Sequence, residues 1–321
     1  MRSFFSGLLT VLFLLAAAAP GTAGSGESGI GIRLVDIPQV AIKDPRARSY
    51  IVDSVPPGAL LERRIEVQNN TADRQEIAVY AAAAEVKNNS FVGLSRGSRN
   101  ELTGWMSMGA PAVDLAPGES AELPVTIRVP EEAPEGEQYA VVWAEVRSPA
   151  QPETQVITAT RAGIRVYLNV GPGNGPGAAF SIGRLAAAVA PNGDRQVSAE
   201  VTNTGGRALD MQGQLSLTNG PGGLSAGPSP LDEAVTIPPG EAATVAVTLP
   251  AELPAGRWHA QLELRSGLIG ELGAAEVIFE DPGPVDGSGT GGQGVAALAA
   301  AVVILLLAGL WGARRHRRTK R

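Results

Sequence analysis

Two stretches, Gly93-Leu-Ser-Arg-Gly97 and Gly223-Leu-Ser-Ala-Gly227, match G-x-S-x-G, the pattern of a hydrolase nucleophile elbow. An elbow needs a strand before the serine, a helix after it and a histidine base within reach. No helical pattern follows either match. Only one histidine, His259, lies between the two chain ends, inside the alternating stretch Trp258-His-Ala-Gln-Leu-Glu-Leu264. Nothing else assembles around it, so it reads as an outward strand residue beside a buried Trp258, and no enzyme is expected. Glu131, Glu132, Glu135 and Glu137 crowd one turn but lack the ligand spacing of a calcium loop, so they read as a solvated crossover. The chain has no cysteine, which excludes thiol nucleophiles, disulfides and cysteine–zinc sites. No metal and no cofactor is expected.

Binding chemistry is better represented than catalytic chemistry. Val86–Gly109 reads VKNNSFVGLSRGSRNELTGWMSMG. Asn88, Asn89, Phe91, Arg96 and Trp105 offer amides, aromatic rings and a cation together, a mixture suited to sugars or peptides. The plainer reading of the same residues is an edge hairpin with Trp105 packed under it.

Strands must position these residues. LLERRIEVQ (60–68), QEIAVYA (75–81), AELPVTIRV (121–129) and YAVVWAEV (139–146) alternate apolar and polar between Pro/Gly turns, the period of a half-buried antiparallel sheet. One or two further strands are expected over Thr154–Val170. Ala81–Ala84 has helical propensity, but its flanks make it strand.

The same order then returns. Val67-Gln-Asn-Asn-Thr71 is matched by Val201-Thr-Asn-Thr204, and Pro117-Gly-Glu-Ser-Ala121 by Pro239-Gly-Glu-Ala-Ala243. Pro134-Glu-Gly136 and Pro254-Ala-Gly256 each lead into a tryptophan-bearing strand, so Trp143 and Trp258 are expected to be equivalent and buried. This grammar predicts an all-β protein of two tandem immunoglobulin-like β-sandwiches, residues 24–171 and 177–281, joined by a linker at 172–176. Asn69 and Pro117 are 48 positions apart, whereas Asn203 and Pro239 are 36 apart, so the first module carries about a dozen extra residues. Extra length on a sandwich goes into loops or an added hairpin, and Val86–Gly109 is where it is expected.

Both ends point to a membrane. Arg2, the apolar run Leu8–Ala19 and Gly21-Thr22-Ala23 predict a signal peptide over residues 1–23, cleaved after Ala23. Val295–Ala313 carries no charge over 19 residues, about 28 Å as a helix, and is expected to span a bilayer. A flexible tract, 282–294, precedes it. The basic tail, 314–321, should stay cytoplasmic, giving a single-pass type I protein of the cell membrane with its ectodomain outside. The two ends hold seven of the 26 Lys/Arg residues and none of the 32 Asp/Glu, so the exterior carries a net −13. Such a surface repels nucleic acid and anionic lipid. Abundant Ala, Gly, Pro and Arg with three lysines hint at a GC-rich bacterial genome.

The first module resembles the WxL-interacting protein family of Gram-positive bacteria, as an actinobacterial-type relative. The resemblance lies in the order of several pieces over roughly residues 28–171: Ile30-Gly-Ile-Arg-Leu-Val35, Asp44–Val52 with Pro57-Gly58, the EVQNNT strand end, Trp105 with its apolar flank, the LAPGES turn, and Pro-Glu-Gly running into YAVVWAEV. It implies a peptidoglycan-binding first domain and a second domain that engages surface proteins or host ligands. The second module is short for the family and shows none of its motifs. No W-x-L triplet occurs, which places the chain on the receptor side of such a pair. The expected function is a non-catalytic, membrane-anchored surface protein holding peptidoglycan, another surface protein, or both. The alternative is a surface scaffold or receptor ectodomain that binds protein only. Exposed aromatics and amides in Val86–Gly109 would favour sugar; an open sheet edge or apolar patch would favour protein.

Overall fold

In the first half of the chain, strands of alternating pattern run in the order β1 Ile30–Leu34, β2 Ile51–Val55, β3 Leu60–Asn69, β4 Gln75–Lys87, β5 Ser90–Gly93, β6 Met106–Met108, β7 Ala112–Leu115, β8 Ser120–Arg128, β9 Gly136–Arg147 and β10 Ala159–Val170. One short helix, α1 (Glu101–Trp105), precedes β6. The second half adds β11 Phe180–Ile182, β12 Ala186–Val189, β13 Arg195–Asn203, β14 Leu209–Thr218, β15 Ala226–Pro230, β16 Val235–Ile237, β17 Ala242–Leu249, β18 Gly256–Ser266 and β19 Ile269–Phe279. This computed structural model describes residues 29–38, 42–147, 157–172, 177–190 and 192–280. The expected signal peptide, most of the 172–176 linker, the 282–294 tract, the 295–313 span and the 314–321 tail lie outside the described residues. Among the described residues no helix is long and apolar enough to cross a membrane.

The protein is all-β, with four sheets around two cores. The first core lies between the sheet β1-β3-β8-β6 and the sheet β2-β10-β9-β4-β5, to which β7 adds on β4. Ile65, Val67, Ile77, Val125, Val142, Val166 and Leu168 meet there. The second core lies between a sheet in which β13 pairs β11, β12 and β17, and the sheet β15-β14-β18-β19 with β16 on β14. Val197, Val201, Leu215, Leu217, Val247, Trp258 and Leu262 fill it. Burying alternate apolar side chains between two sheets is the main stabilising term in each.

The sequence repeat marks equivalent positions. Asn69 and Asn203 end equivalent strands and are fully buried. Asn69 Nδ2 donates to the carbonyls of Asp73 and Leu115 at 2.8 and 3.0 Å. Asn203 Nδ2 donates to Arg207 and Ile237 at 2.8 and 2.9 Å. The Pro-Gly turns place Gly118 and Gly240 at the same φ, +75°, and the crossover glycines Gly136 and Gly256 at +126° and +128°. Each crossover carries the chain from one sheet to the other.

Two expectations are corrected. Trp143 and Trp258 are not equivalent. Counted from the crossover glycines, Trp258 is the second residue along and Trp143 the seventh, which puts them on opposite faces of their strands. Trp258 is core, 0% exposed. Trp143 lies half-buried on the outer face of β9, its ring spread over Gly93 and Gly163, where an added Cβ would sit 2.6–2.7 Å from it. Its indole N–H donates to Leu94 O at 3.1 Å, and Arg161 stacks over it at 4.6 Å. The turn glutamates also separate: Glu131, Glu132 and Glu135 are exposed, while Glu137 is half-buried and bonded to Ala208 at the junction between the two sandwiches.

The extra length of the first module is α1 and β6. They close the outer edge of β8, since β6 pairs with it. The equivalent edge, on β17, is met by a loop: Asp232 accepts from the N–H and hydroxyl of Thr248 at 2.6 and 2.9 Å, and its own N–H donates to Ala246 O.

Candidate functional site

The five residues singled out by sequence fall in three places. Asn88 and Asn89 form the two-residue turn between β4 and β5, with φ of +49° and +58°. Positive φ at both positions defines a type I′ turn, and asparagine tolerates it better than residues other than glycine. Asn89 O accepts from Thr236 N of the second sandwich at 2.7 Å, so the hairpin tip docks on β16. Phe91 sits behind it, 5.1 Å from the Tyr167 ring and 6.2 Å from that of Tyr139. Trp105 is half-buried and packs on the first core. Arg96 is exposed and stacks on Tyr80 at 5.1 Å.

Asn89 and Phe91 thus belong to an inter-sandwich joint. Its centre is Tyr167 on the outer face of β10, which would meet solvent if the first sandwich stood alone. It is 1% exposed, because the second sandwich covers it. Tyr50, Tyr139 and Phe91 ring it, at centroid distances of 5.9, 5.8 and 5.1 Å, and Arg165 stacks over Tyr50 and Phe91. From the second sandwich, Asp210 Oδ1 accepts from Tyr167 OH at 2.9 Å, Arg165 Nη1 at 3.2 Å and Thr236 Oγ1 at 3.0 Å. Ala208 is clamped on both sides of its backbone: its N–H donates to Glu137 at 2.6 Å and its carbonyl accepts from Arg46 at 3.0 Å. The β18–β19 turn closes the rim, where a Cβ on Gly267 would sit 2.9 Å from the Asp44 carboxylate.

Burial raises the Glu137 pKa above its ordinary range, against the bonds from Tyr139 and Ala208 that favour the charged form. Burial, then the Asp210 carboxylate, pushes the Tyr167 phenol well up, and burial with Glu137 does the same to Tyr139. Both phenols therefore act as fixed donors. Sequence reasoning missed this joint. Its available signal was compositional: three of only four tyrosines gather here.

Arg96 lines a second place, an open cleft of about 560 Å³ between β4 and β6, walled by Val79, Arg99, Gly104, Met106 and Met108 among others. On its floor Tyr80 OH donates to Glu145 at 2.5 Å. Burial, then that bond, pushes the phenol up to about 12. Burial also acts upward on Glu145, but the bonds from Tyr80 and Arg147 outweigh it and hold the carboxyl below its usual range.

The third feature is an edge. In the first sandwich β10 pairs β9 on one side and, over Val166–Val170, the parallel strand β2 on the other. The equivalent strand β19 pairs only β18 among the described residues. Matching Gly136↔Val170 to Gly256↔Phe279 puts the uncovered counterpart of the β2 slot at Ala275–Phe279. Leu272 and Ile278 on this strand are 62% and 55% exposed.

Neither G-x-S-x-G serine stands before a helix. Ser95 is in the loop after β5, and Ser225 lies between a 3-10 turn and β15. His259 is half-buried on the face of β18 opposite Trp258. Among the described residues no group of three or more His, Cys, Asp or Glu could hold a metal ion.

No protein-family model matches the chain, and no curated protein matches it. Among solved structures it is similar to the Salmonella enterica SafA pilin in complex with the SafB chaperone, with 12% identity, 77% of this chain and 96% of that chain covered, and a TM-score of 0.39. It is also similar to the E. coli chaperone DraB, with 14% identity, 72% and 96% covered, and a TM-score of 0.36. The CsuC-CsuE chaperone-tip adhesion subunit complex of Acinetobacter baumannii gives 12%, 70% and 94%, and 0.37. By its own geometry the chain is an all-β protein of several sheets around two separate cores.

Proposed function

We propose that this chain is a non-catalytic surface protein whose two immunoglobulin-like sandwiches bind protein partners. The observation that carries the reading is the bare β19 edge. Its first-sandwich counterpart is covered by β2, whereas β19 offers unpaired backbone groups flanked by exposed Leu272 and Ile278. An extended segment of a partner can add there as a strand. The wall-polymer alternative, drawn from the resemblance to WxL-interacting proteins, rests on free amides and aromatics in Val86–Gly109. Phe91 is engaged in the joint and Trp105 on the core, so although Asn88 and Arg96 are exposed, the aromatic faces a sugar would stack on are covered, which supports the protein-only reading over peptidoglycan.

The topology belongs to the same proposal and rests on sequence: signal peptide at 1–23, span at 295–313, cytoplasmic tail at 314–321. Protease added to wall-stripped cells should remove residues 24–294 and spare a C-terminal tag. For binding, the full chain is mixed with purified peptidoglycan and, separately, with a biotinylated surface-protein extract. Capture of the same protein bands, lost in Ile278→Arg and kept in Glu263→Arg, is the expected result. Sedimentation with peptidoglycan together with capture indifferent to Ile278→Arg would restore the wall-polymer reading.

A further inference from the structure

The cleft beside Arg96 interrupts a strand edge. Along β4, Val79 N donates to Pro111 O and Ala83 N to Ser98 O, both away from β9. Backbone direction alternates every residue, so the N–H and C=O of Ala81 aim the same way. Pairing with β7 ends at Ala78 and pairing with β5 begins at Ala84, so Ala81 has no partner on that side among the described residues. Ala81 lines the cleft and is half-buried. The lining includes Arg96 and Arg99, neither bonded to a carboxylate among the described residues, and the apolar Met106, Met108 and Pro111, the last bonded to the backbone of core residue Val79.

We infer that this cleft binds an extended peptide bearing a carboxylate. One peptide residue would exchange two hydrogen bonds with Ala81, as an added strand does. A carboxylate next to it would reach the two guanidiniums, whose forked donors suit it. An apolar side chain on the other side would rest on the methionines, which adapt to varied shapes. The carboxylate is either an acidic side chain or the C-terminus. The inference rests on the protein-binding reading and adds a second site, remote from β19, with a stated chemistry.

The test uses the full chain in detergent and fluorescein-labelled hexapeptides of alternating Val and Asp, read by anisotropy. Three comparison peptides are the same sequence amidated at the C-terminus, a Val/Ser version with a free C-terminus, and an N-methylated version that cannot bridge Ala81. Saturable binding of the acidic peptide, weakened about tenfold or more by Arg96→Gln, by Arg99→Gln and by N-methylation, is expected. Retention in the amidated form assigns the carboxylate to side chains; loss, with binding of the Val/Ser acid, assigns it to the terminus. Gly104 guards against misfolding: an added Cβ there meets nothing within 4 Å. Gly104→Glu should abolish binding with the melting temperature held, and Gly104→Lys should preserve it. No saturable binding by any peptide, or binding indifferent to Gly104→Glu and to both arginine variants, overturns the inference. Continued partner capture sensitive to Ile278→Arg would then leave the protein-binding reading standing.

Discussion

At the residue scale, the two buried asparagines do most of the specifying. Each ties a strand end to two carbonyls across a loop and accepts a backbone N–H on its own Oδ1, from Thr71 or Gly205. An alanine would leave those groups buried and unpaired. Asn69→Ala and Asn203→Ala should each destabilise the protein by about 1–3 kcal/mol, read as a shift in urea midpoint. A change under about 0.5 kcal/mol would mean that water replaces the side chain. The asparagines were legible because the residue type, the turn that follows and the strand that precedes recur together. The tryptophans share a turn and a strand in the sequence but not a face, because a strand's two faces differ by one residue and the turn-to-Trp spacings, seven and two, differ in parity. Trp258→Ala should cost about 3–5 kcal/mol as a core cavity. Trp143→Ala, which opens no enclosed cavity, should cost less than half as much in the same assay. Equal losses would place Trp143 inside after all.

Elements show how one plan was closed in two ways. The outer edge of β8 is covered by the inserted α1 and β6, and that of β17 by the Asp232 loop. Sequence length located this insertion near Val86–Gly109. It did not show how far β4 runs before the hairpin turns, because a 13-residue strand exceeds the runs between turn signals. The sequence leaves this segment open between a binding surface and an edge hairpin with Trp105 packed under it; the structure forms the hairpin, with Asn88-Asn89 as its turn and Trp105 on the core. What docks the turn is a carbonyl, and backbone groups carry no sequence signature. Asn89→Gly, which keeps that carbonyl and suits φ +58°, should hold or raise the melting temperature. Asn89→Val should lose about 1–2 kcal/mol, and the Thr236 amide resonance should shift with it. A Thr236 resonance unmoved by Asn89→Val would detach the hairpin from the second sandwich. Asp232→Ala should lose about 0.5–1.5 kcal/mol and expose the β17 edge, seen as faster amide exchange at Thr248.

For the whole molecule, the joint decides whether two sandwiches move independently. Long-range contacts between modules have no periodicity to read, so this level was invisible in sequence beyond the clustering of scarce tyrosines. The joint leaves a pH signature through Glu137. Its pKa is raised by burial in the folded protein, so the folded state holds this proton more tightly than the unfolded chain, whose carboxyl titrates near the ordinary 4.5. Stability from this group is therefore fully present below the unfolded value and is lost as pH climbs through the raised folded value. Arg46 and Asp210 act on the carboxyl in opposite directions, and neither reverses the sign. Other carboxylates also shift, in both directions: burial raises Asp53, while the Asp36 carboxyl is held low by its bonds to Arg64. They titrate alike in the parent and in a Glu137→Gln variant, so the difference between the two isolates Glu137. The side-chain amide of that variant keeps an acceptor for the Ala208 N–H and cannot ionise. Its stability relative to the parent, from urea unfolding at intervals between pH 4 and pH 8, should improve as pH rises above the unfolded value and level off once pH passes the raised folded value. A relative stability that worsens over that range would mean the joint prefers the charged carboxylate, and that Arg46 and the Ala208 N–H outweigh the cost of enclosing it between the sandwiches.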